Sequence, residues 1–280
     1  MAQIRYPGSK HRIRDRIIGS FPYDIKLELW SASRKWRYIE PFFGSGAIGF
    51  SILDKLPITS TAVLADIDLG IVSLWKAVQE APDELIGKIV NFRPSVAAYE
   101  DFKRTDGDKT LDPVELGFRK LALHQMSFSG LGAKSGGPIG GADQSNPQYN
   151  INCRWKPDIQ VTRVLSRHAI LRRCTALITC KDFQNVLADA RETDFIYCDP
   201  PYVSAGPGLY KFPFTEADHI RLSQCLDRIP CRWAVSYDNH PMIRKLYARR
   251  IIVDVDITYS LANNSEARRK NHEILITNFQ

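Results

Sequence analysis

The chain has 280 residues, 44% hydrophobic and 25% charged, with a formal net charge of +7. That composition suits a soluble globular protein of one large α/β domain, or one domain with an inserted lobe. No apolar run is long enough to span a membrane and no signal-peptide core stands at the N-terminus. The six cysteines are scattered without a Cys-x-x-Cys pair, which points to reduced thiols in a cytoplasmic protein rather than a disulfide framework or metal site. Within residues 119–173, nine Lys and Arg (Arg119, Lys120, Lys134, Arg154, Lys156, Arg163, Arg167, Arg172, Arg173) face only Asp143 and Asp158. The whole +7 excess is therefore confined to one segment, a distribution that favours contact with a polyanion such as nucleic acid.

In chain order, Tyr6-Pro7-Gly8-Ser9-Lys10 is a turn with a flexible lysine, ahead of a helical pattern at 13–18. A strand at 37–40 then runs into Glu40-Pro41-Phe42-Phe43-Gly44-Ser45-Gly46-Ala47-Ile48-Gly49, which opens a helix at 47–54. Gly44, Gly46 and Gly49 fit G-x-G-x-x-G, and Asp66 closes the next strand at 62–66. That strand–turn–helix setting suits an adenosine-type cofactor, the glycines allowing close backbone approach and the carboxylate meeting ribose hydroxyls. Glu40 argues against a pyrophosphate at the helix N-terminus. It suits a cationic ligand, such as the amino group of S-adenosylmethionine, although it could also cap the helix.

A helix at 70–78 follows, and from Pro82 to about Arg173 the strand–helix alternation lapses. Helical patterns at 95–104 and 113–126 lead into a stretch, 127–152, whose glycines are too dense for a packed core element, so a functional loop is expected. Alternation resumes with a strand at 176–179 and Lys181-Asp182-Phe183, where Asp182 can cap a helix or meet an adenine amine. Phe195-Ile196-Tyr197-Cys198 reads as a buried strand that must stop at Asp199-Pro200-Pro201-Tyr202, since prolines cannot continue a ladder. A carboxylate, a stiff carbonyl and an aromatic ring then meet at a strand's carboxyl end, which suggests chemistry on an exocyclic amine. Helices at 216–227 and 240–247 (the second capped by Asp238 or Asn239) and strands at 233–236, 251–255 and 274–277 complete the chain.

Together these motifs resemble the Dam-type (D12 class) DNA adenine-N6 methyltransferases over nearly the whole chain. The elements that carry the resemblance are Tyr6–Lys10, Glu40–Gly46, Ala65-Asp66-Ile67, Asp182-Phe183, Asp199–Tyr202 and Glu273–Asn278, in family order. The resemblance implies a Rossmann-like α/β fold, a mostly parallel seven-stranded sheet with helices on both faces. Residues 1–81 and 174–280 would form the catalytic domain, and 82–173 an inserted helical and loop DNA-recognition lobe. It implies S-adenosylmethionine near Tyr6, Lys10, Glu40, Phe42, Gly44, Gly46, Asp66, Ile67, Asp182, Phe183 and Asp199. The target would be an adenine flipped out of double-stranded DNA, because its amine is hidden in the stack. Asp199 and the Pro200 carbonyl would accept its N6 hydrogens and Tyr202 would stack on it, without a metal or a covalent intermediate. Phosphate contacts are expected from Arg154, Lys156, Arg163 and Arg167, and base reading or wedging from Lys134, Gln144, Asn146 and Tyr149. Methylation of another amine (cytosine N4, RNA adenine or a glutamine side chain), a nicotinamide oxidoreductase and a non-catalytic nucleic-acid-binding module are the competing readings.

Overall fold

Short apolar runs punctuated by proline and glycine make the strands. The computed structural model describes residues 10, 14–19, 21, 37–55, 61–205, 209–256 and 272–279. Its strands are β1 (Arg37–Glu40), β2 (Thr61–Asp66), β3 (Thr175–Cys180), β4 (Asp194–Cys198), β5 (Arg232–Asp238), β6 (Ile251–Asp256) and β7 (His272–Thr277). Each lies where β-branched and aromatic residues predicted it. Among the described residues they form one seven-stranded sheet in the order β3-β2-β1-β4-β5-β7-β6. The pairs from β3 to β5 are parallel, whereas β5–β7 and β7–β6 are antiparallel. Strand order reverses between β1 and β4, and in open α/β sheets ligands bind in the crevice at such a switch point.

The helices are α1 (Arg14–Gly19), α2 (Gly49–Leu53), α3 (Leu69–Glu80), α4 (Pro82–Asn91), α5 (Val96–Arg104), α6 (Pro113–Met126), α7 (Pro157–Arg173), α8 (Phe183–Leu187), α9 (Glu216–Arg228) and α10 (Pro241–Leu246). Sequence periodicity misses α4, α7 and α8. In α7 only Gln160, Val164, Ile170 and Leu171 are buried, so the apolar stripe is too sparse to register. Pro157 in its first turn is the surviving signal. The cap of α10 also differs from expectation. His240 accepts from the Met242 amide at 3.2 Å, while Asp238 accepts from the Val203 and Ser204 amides at 3.2 and 2.9 Å. Asn239 accepts from Arg244 at 2.6 Å. Asp238 thus ties the chain beyond Tyr202 to β5 instead of starting a helix.

The segment 82–173 does not stand apart from the sheet. One hydrophobic cluster runs from Tyr38, Leu64 and Phe195 on the strands through Leu74 and Trp75 to Tyr99, Phe118 and Trp155. Helices α3 and α6 approach so closely that a Cβ on Gly117 would lie 2.6 Å from the Leu74 backbone, which requires glycine there. The glycine-rich stretch is also more ordered than its composition suggests. It forms 3₁₀ turns at Phe128–Gly130 and Gly132–Lys134 and a bridge from Ser127 to Pro138. His124 donates to the Gly130 carbonyl at 2.8 Å, Ser127 accepts from the Gly132 amide at 2.9 Å, and Ile139 and Ile151 are buried. The glycines let the backbone fold onto α6 instead of forming an open loop. On the opposite face, Ile39, Ile196, Trp233 and Val235 pack on Phe183, Leu222 and Leu226.

Candidate active site

The crevice at the switch point is walled by the loop after β1. Pro41 ends that strand, and the backbone turns through positive φ at Gly44 (44°) and Gly46 (66°), a conformation that favours glycine. The Phe43 amide donates to the Ala65 carbonyl and the Gly44 amide to Asp66 Oδ2, both at 2.8 Å. Asp66 Oδ1 accepts from the Asp68 amide at 2.9 Å. Asp66 therefore fixes the glycine loop, and it also lines the cavity with Ile67, Phe42 and Gly44. Gly49 is needed for a different reason. A Cβ there would lie 2.2 Å from Glu40 Oε2, so the helix can meet the strand-end carboxyl only without a side chain.

Glu40 is 2% exposed and accepts from the Tyr38 hydroxyl at 2.8 Å. Burial holds its carboxyl well above the ordinary range, while the Tyr38 hydroxyl and Gly49 amide favour the charged form and Asp199 and Asp66 oppose it. Burial, with the neighbouring Asp68, pushes Asp66 up to about 6. Three desolvated carboxyls around one cavity fit a cationic ligand, which would relieve their cost.

Asp199 at the end of β4 is set by two donors on one oxygen. Lys10 Nζ lies 2.8 Å and Ser236 Oγ 3.0 Å from Oδ1, and Ser236 in turn bonds the Tyr197 hydroxyl at 2.8 Å. Oδ2 has no hydrogen-bond partner among the described residues. Burial raises the Asp199 carboxyl while Lys10 and Ser236 pull it down. The β4–β5 register pairs Cys198 with Val235, which brings Asp199 beside Ser236. Strand alignment could have found Ser236, which motif reading missed.

At the far end of the cavity, Phe42, Phe183 and Phe214 form an apolar corner with ring centroids 5.5–5.7 Å apart. Asp182 caps α8 by accepting from the Gln184 amide at 2.9 Å, and both its oxygens also meet Arg221 at 3.0 Å. Asp182, Phe183 and Arg221 line the same cavity as Lys10, Glu40 and Asp199. Sequence reading gave no sign of Arg221, and it marked Glu273 only as the start of the last family element, with no site role. Glu273 on β7 is buried, its Oε2 and the Tyr202 hydroxyl lack normal hydrogen bonds, and burial pushes it up to about 7.

The remaining expected residues fall into three groups. Tyr6 lies outside the described residues. Pro200 and Tyr202 are not among the residues that line this cavity. Lys10 Nζ sits over the Tyr202 ring at 4.3 Å, and Tyr237 packs 6.4 Å from that ring. Lys134, Arg154 and Lys156 are exposed, as is Tyr149 at 43%. Gln144 and Asn146 are occupied within their own stretch. Gln144 donates to the Ile139 carbonyl at 2.9 Å and accepts from the Ile151 amide at 2.7 Å, while Asn146 accepts from the Gln148 and Tyr149 amides. Arg163 and Arg167 are half-buried on α7, with Arg167 4.8 Å over the Phe50 ring. Some of the basic excess is also spent internally. Arg119 pairs with Asp101 and Glu115, Arg173 with Asp54, and Lys120, 3% exposed, with Asp68 and Asp106.

The D12 class N6 adenine-specific DNA methyltransferase family matches residues 6–261. Type II methyltransferase M1.LlaDCHI of Lactococcus lactis subsp. cremoris is 26% identical over 257 residues, covering 86% of this chain and 86% of its own. Type II methyltransferase M.MjaIII of Methanocaldococcus jannaschii is 25% identical over 99% of this chain and 98% of its own. The DNA adenine methylase of Escherichia coli is 25% identical over 98% of this chain and 94% of its own. Among the described residues no helix is long and apolar enough to cross a membrane.

Proposed function

The chain belongs to the D12 class N6 adenine-specific DNA methyltransferase family, and we propose that the crevice between β1 and β4 binds S-adenosylmethionine while Asp199 receives a flipped-out target adenine. The observation that carries this reading is the asymmetry of Asp199. Its Oδ1 is held by Lys10 and Ser236, which leaves Oδ2 as an oriented acceptor. S-adenosylmethionine, when bound, supplies an electrophilic methyl group on a positive sulfur.

Asp199 Oδ2 and the Pro200 carbonyl accept the two N6 hydrogens of the adenine and hold the nitrogen lone pair toward the methyl group. Fixed acceptors of this kind need no reorganisation as charge moves. Asp199 would be the first acceptor of the proton that N6 sheds once it is methylated. Glu40 meets the cofactor's amino group and Asp66 its ribose hydroxyls. Phe42, Ile67 and Phe183 enclose its purine, with Asp182 on the purine's amine; Gly44 and Gly46 give close backbone approach and Tyr6 a further contact. Tyr202 stacks on the target base, which requires the Lys10 ammonium to leave that ring face.

Residues 82–173 present the DNA-recognition surface of a catalytic domain made from 1–81 and 174–280. Lys134, Arg154 and Lys156 are the exposed cations of that surface. Arg163 and Arg167 reach phosphate only from the edge of α7, and Gln144, Asn146 and Tyr149 shape the base-facing stretch. The reaction proposed is site-specific methylation of double-stranded DNA in the cytoplasm, and the relatives named Type II methyltransferases support a methyl transfer of this kind. The test is expression in a methylation-free host with single-molecule mapping of N6-methyladenine, and with RNA and cytosine-only duplexes as controls in vitro. New modified adenines in one sequence context are expected; a genome without them overturns the reading.

A further inference from the structure

Asp182 stands at the head of α8, and its two oxygens are unequally occupied. Oδ1 accepts from the Gln184 amide at 2.9 Å and from Arg221 Nη1 at 3.0 Å. Among the described residues Oδ2 accepts only from Arg221 Nη2, at 3.0 Å. A carboxylate oxygen offers two in-plane lone pairs, so Oδ1 is filled and Oδ2 keeps one acceptor position.

Arg221 is itself immobilised from several directions. Nη2 also donates to Asp218 Oδ1 at 3.0 Å. The other Asp218 oxygen accepts from the Thr215 amide and hydroxyl at 2.9 and 2.7 Å, in the capping box of α9. Nη1 reaches Gln184 Oε1 at 3.3 Å, and the guanidinium lies over the Phe183 ring at 4.2 Å. A planar fork with paired donors imposes direction on a carboxylate, which a lysine ammonium cannot do.

We infer that Arg221 is a positioning residue for the cofactor, holding Asp182 as a single-hydrogen acceptor that selects the exocyclic amine of an adenosyl ligand over a 6-oxopurine. The inference rests on the proposed contact between Asp182 and the cofactor's purine. A 6-oxo group would turn an acceptor toward the remaining acceptor position of Asp182, leaving both without a proton to share.

The test is calorimetric binding of S-adenosylhomocysteine and S-inosylhomocysteine to wild type, Arg221→Gln, Arg221→Lys and Asp182→Asn, with melting curves to verify folding. Wild type is expected to prefer the adenosyl ligand by on the order of 100-fold. Arg221→Gln should weaken S-adenosylhomocysteine about tenfold and narrow the preference several-fold. Arg221→Lys should fall between, and it replaces Arg221→Gln if that variant does not fold. In turnover, KM for the methyl donor should rise about tenfold while kcat falls less than about threefold, a split that general loosening of α9 would not produce. If Asp182→Asn loses the preference but both Arg221 variants keep it, the positioning role is overturned and the cofactor contact stands. If Asp182→Asn keeps the preference, the contact fails and the inference fails with it.

Discussion

The crevice between β1 and β4 and the glycine-rich stretch after α6 are both rich in polar groups, yet they use them in opposite ways. In the crevice, carboxyls are desolvated, and among the described residues two keep acceptor capacity in reserve: Asp199 through Oδ2, and Glu40 beyond its bonds from the Tyr38 hydroxyl and the Gly49 amide. In the stretch, Gln144 and Asn146 spend their amides on its own backbone, while Lys134 within it and Arg154 and Lys156 just beyond it stand in solvent. A buried acceptor without a partner is costly, so its retention marks where a ligand belongs. An exposed cation costs little to keep and acts through the field of its neighbours. Single substitutions should therefore have large and specific effects in the crevice, and small, salt-dependent ones in the stretch.

The sharpest contrast comes from Asp199→Ala. Methyl incorporation from tritiated donor should fall on the order of 1,000-fold or more, with DNA binding retained in a gel shift. Near-normal turnover would break the assignment of the crevice. Glu273 gives the next effect, on stability. Its carboxyl is pushed up from 4.5 to about 7, by burial first and with Asp199 adding to it, while Lys10 and Tyr202 oppose. The folded state holds this proton more tightly than the unfolded chain. Its contribution is thus fully present below about 4.5 and is lost as pH rises through about 7, amounting to at most about 3 kcal/mol. Melting curves of the ligand-free protein from about pH 5 to about pH 8 should decline more steeply for wild type than for Glu273→Gln; parallel curves would remove Glu273 as their source.

Gly49→Ala tests whether the helix must reach Glu40. The added Cβ meets Oε2 at 2.2 Å, so S-adenosylhomocysteine affinity should drop at least about tenfold and stability by about 1–3 kcal/mol. Unchanged affinity would place the cofactor's amino group elsewhere. Ser236→Ala removes one of the two donors on Asp199 Oδ1. A loss of about tenfold in kcat is expected, near the value of one charge-assisted bond, with donor KM little changed. The smallest effect belongs to the exposed cations in and just after the stretch. Arg154→Gln should weaken binding to every duplex a few-fold and flatten the salt dependence by about one ion; a change limited to one target sequence would contradict a phosphate role.

Much of this protein follows from its sequence alone. The seven strands are legible because each is a compact β-branched or aromatic run stopped by proline, glycine or a polar residue, and a buried strand depends mainly on such local composition. Motif order supplied the family, and the glycine loop announced its own turn, since only glycine accommodates the backbone at Gly44 and Gly46. What required the tertiary structure were contacts between residues distant in sequence. The register of β4 on β5 brings Ser236 to Asp199, α9 carries Arg221 to Asp182, and β7 inserts Glu273 behind Tyr202. The buried pairing of Lys120 with Asp68 and Asp106 likewise takes a cation out of the basic excess that the sequence displays. Burial and partnership are properties of the packed chain, and they decide which charges face a ligand and which hold the fold.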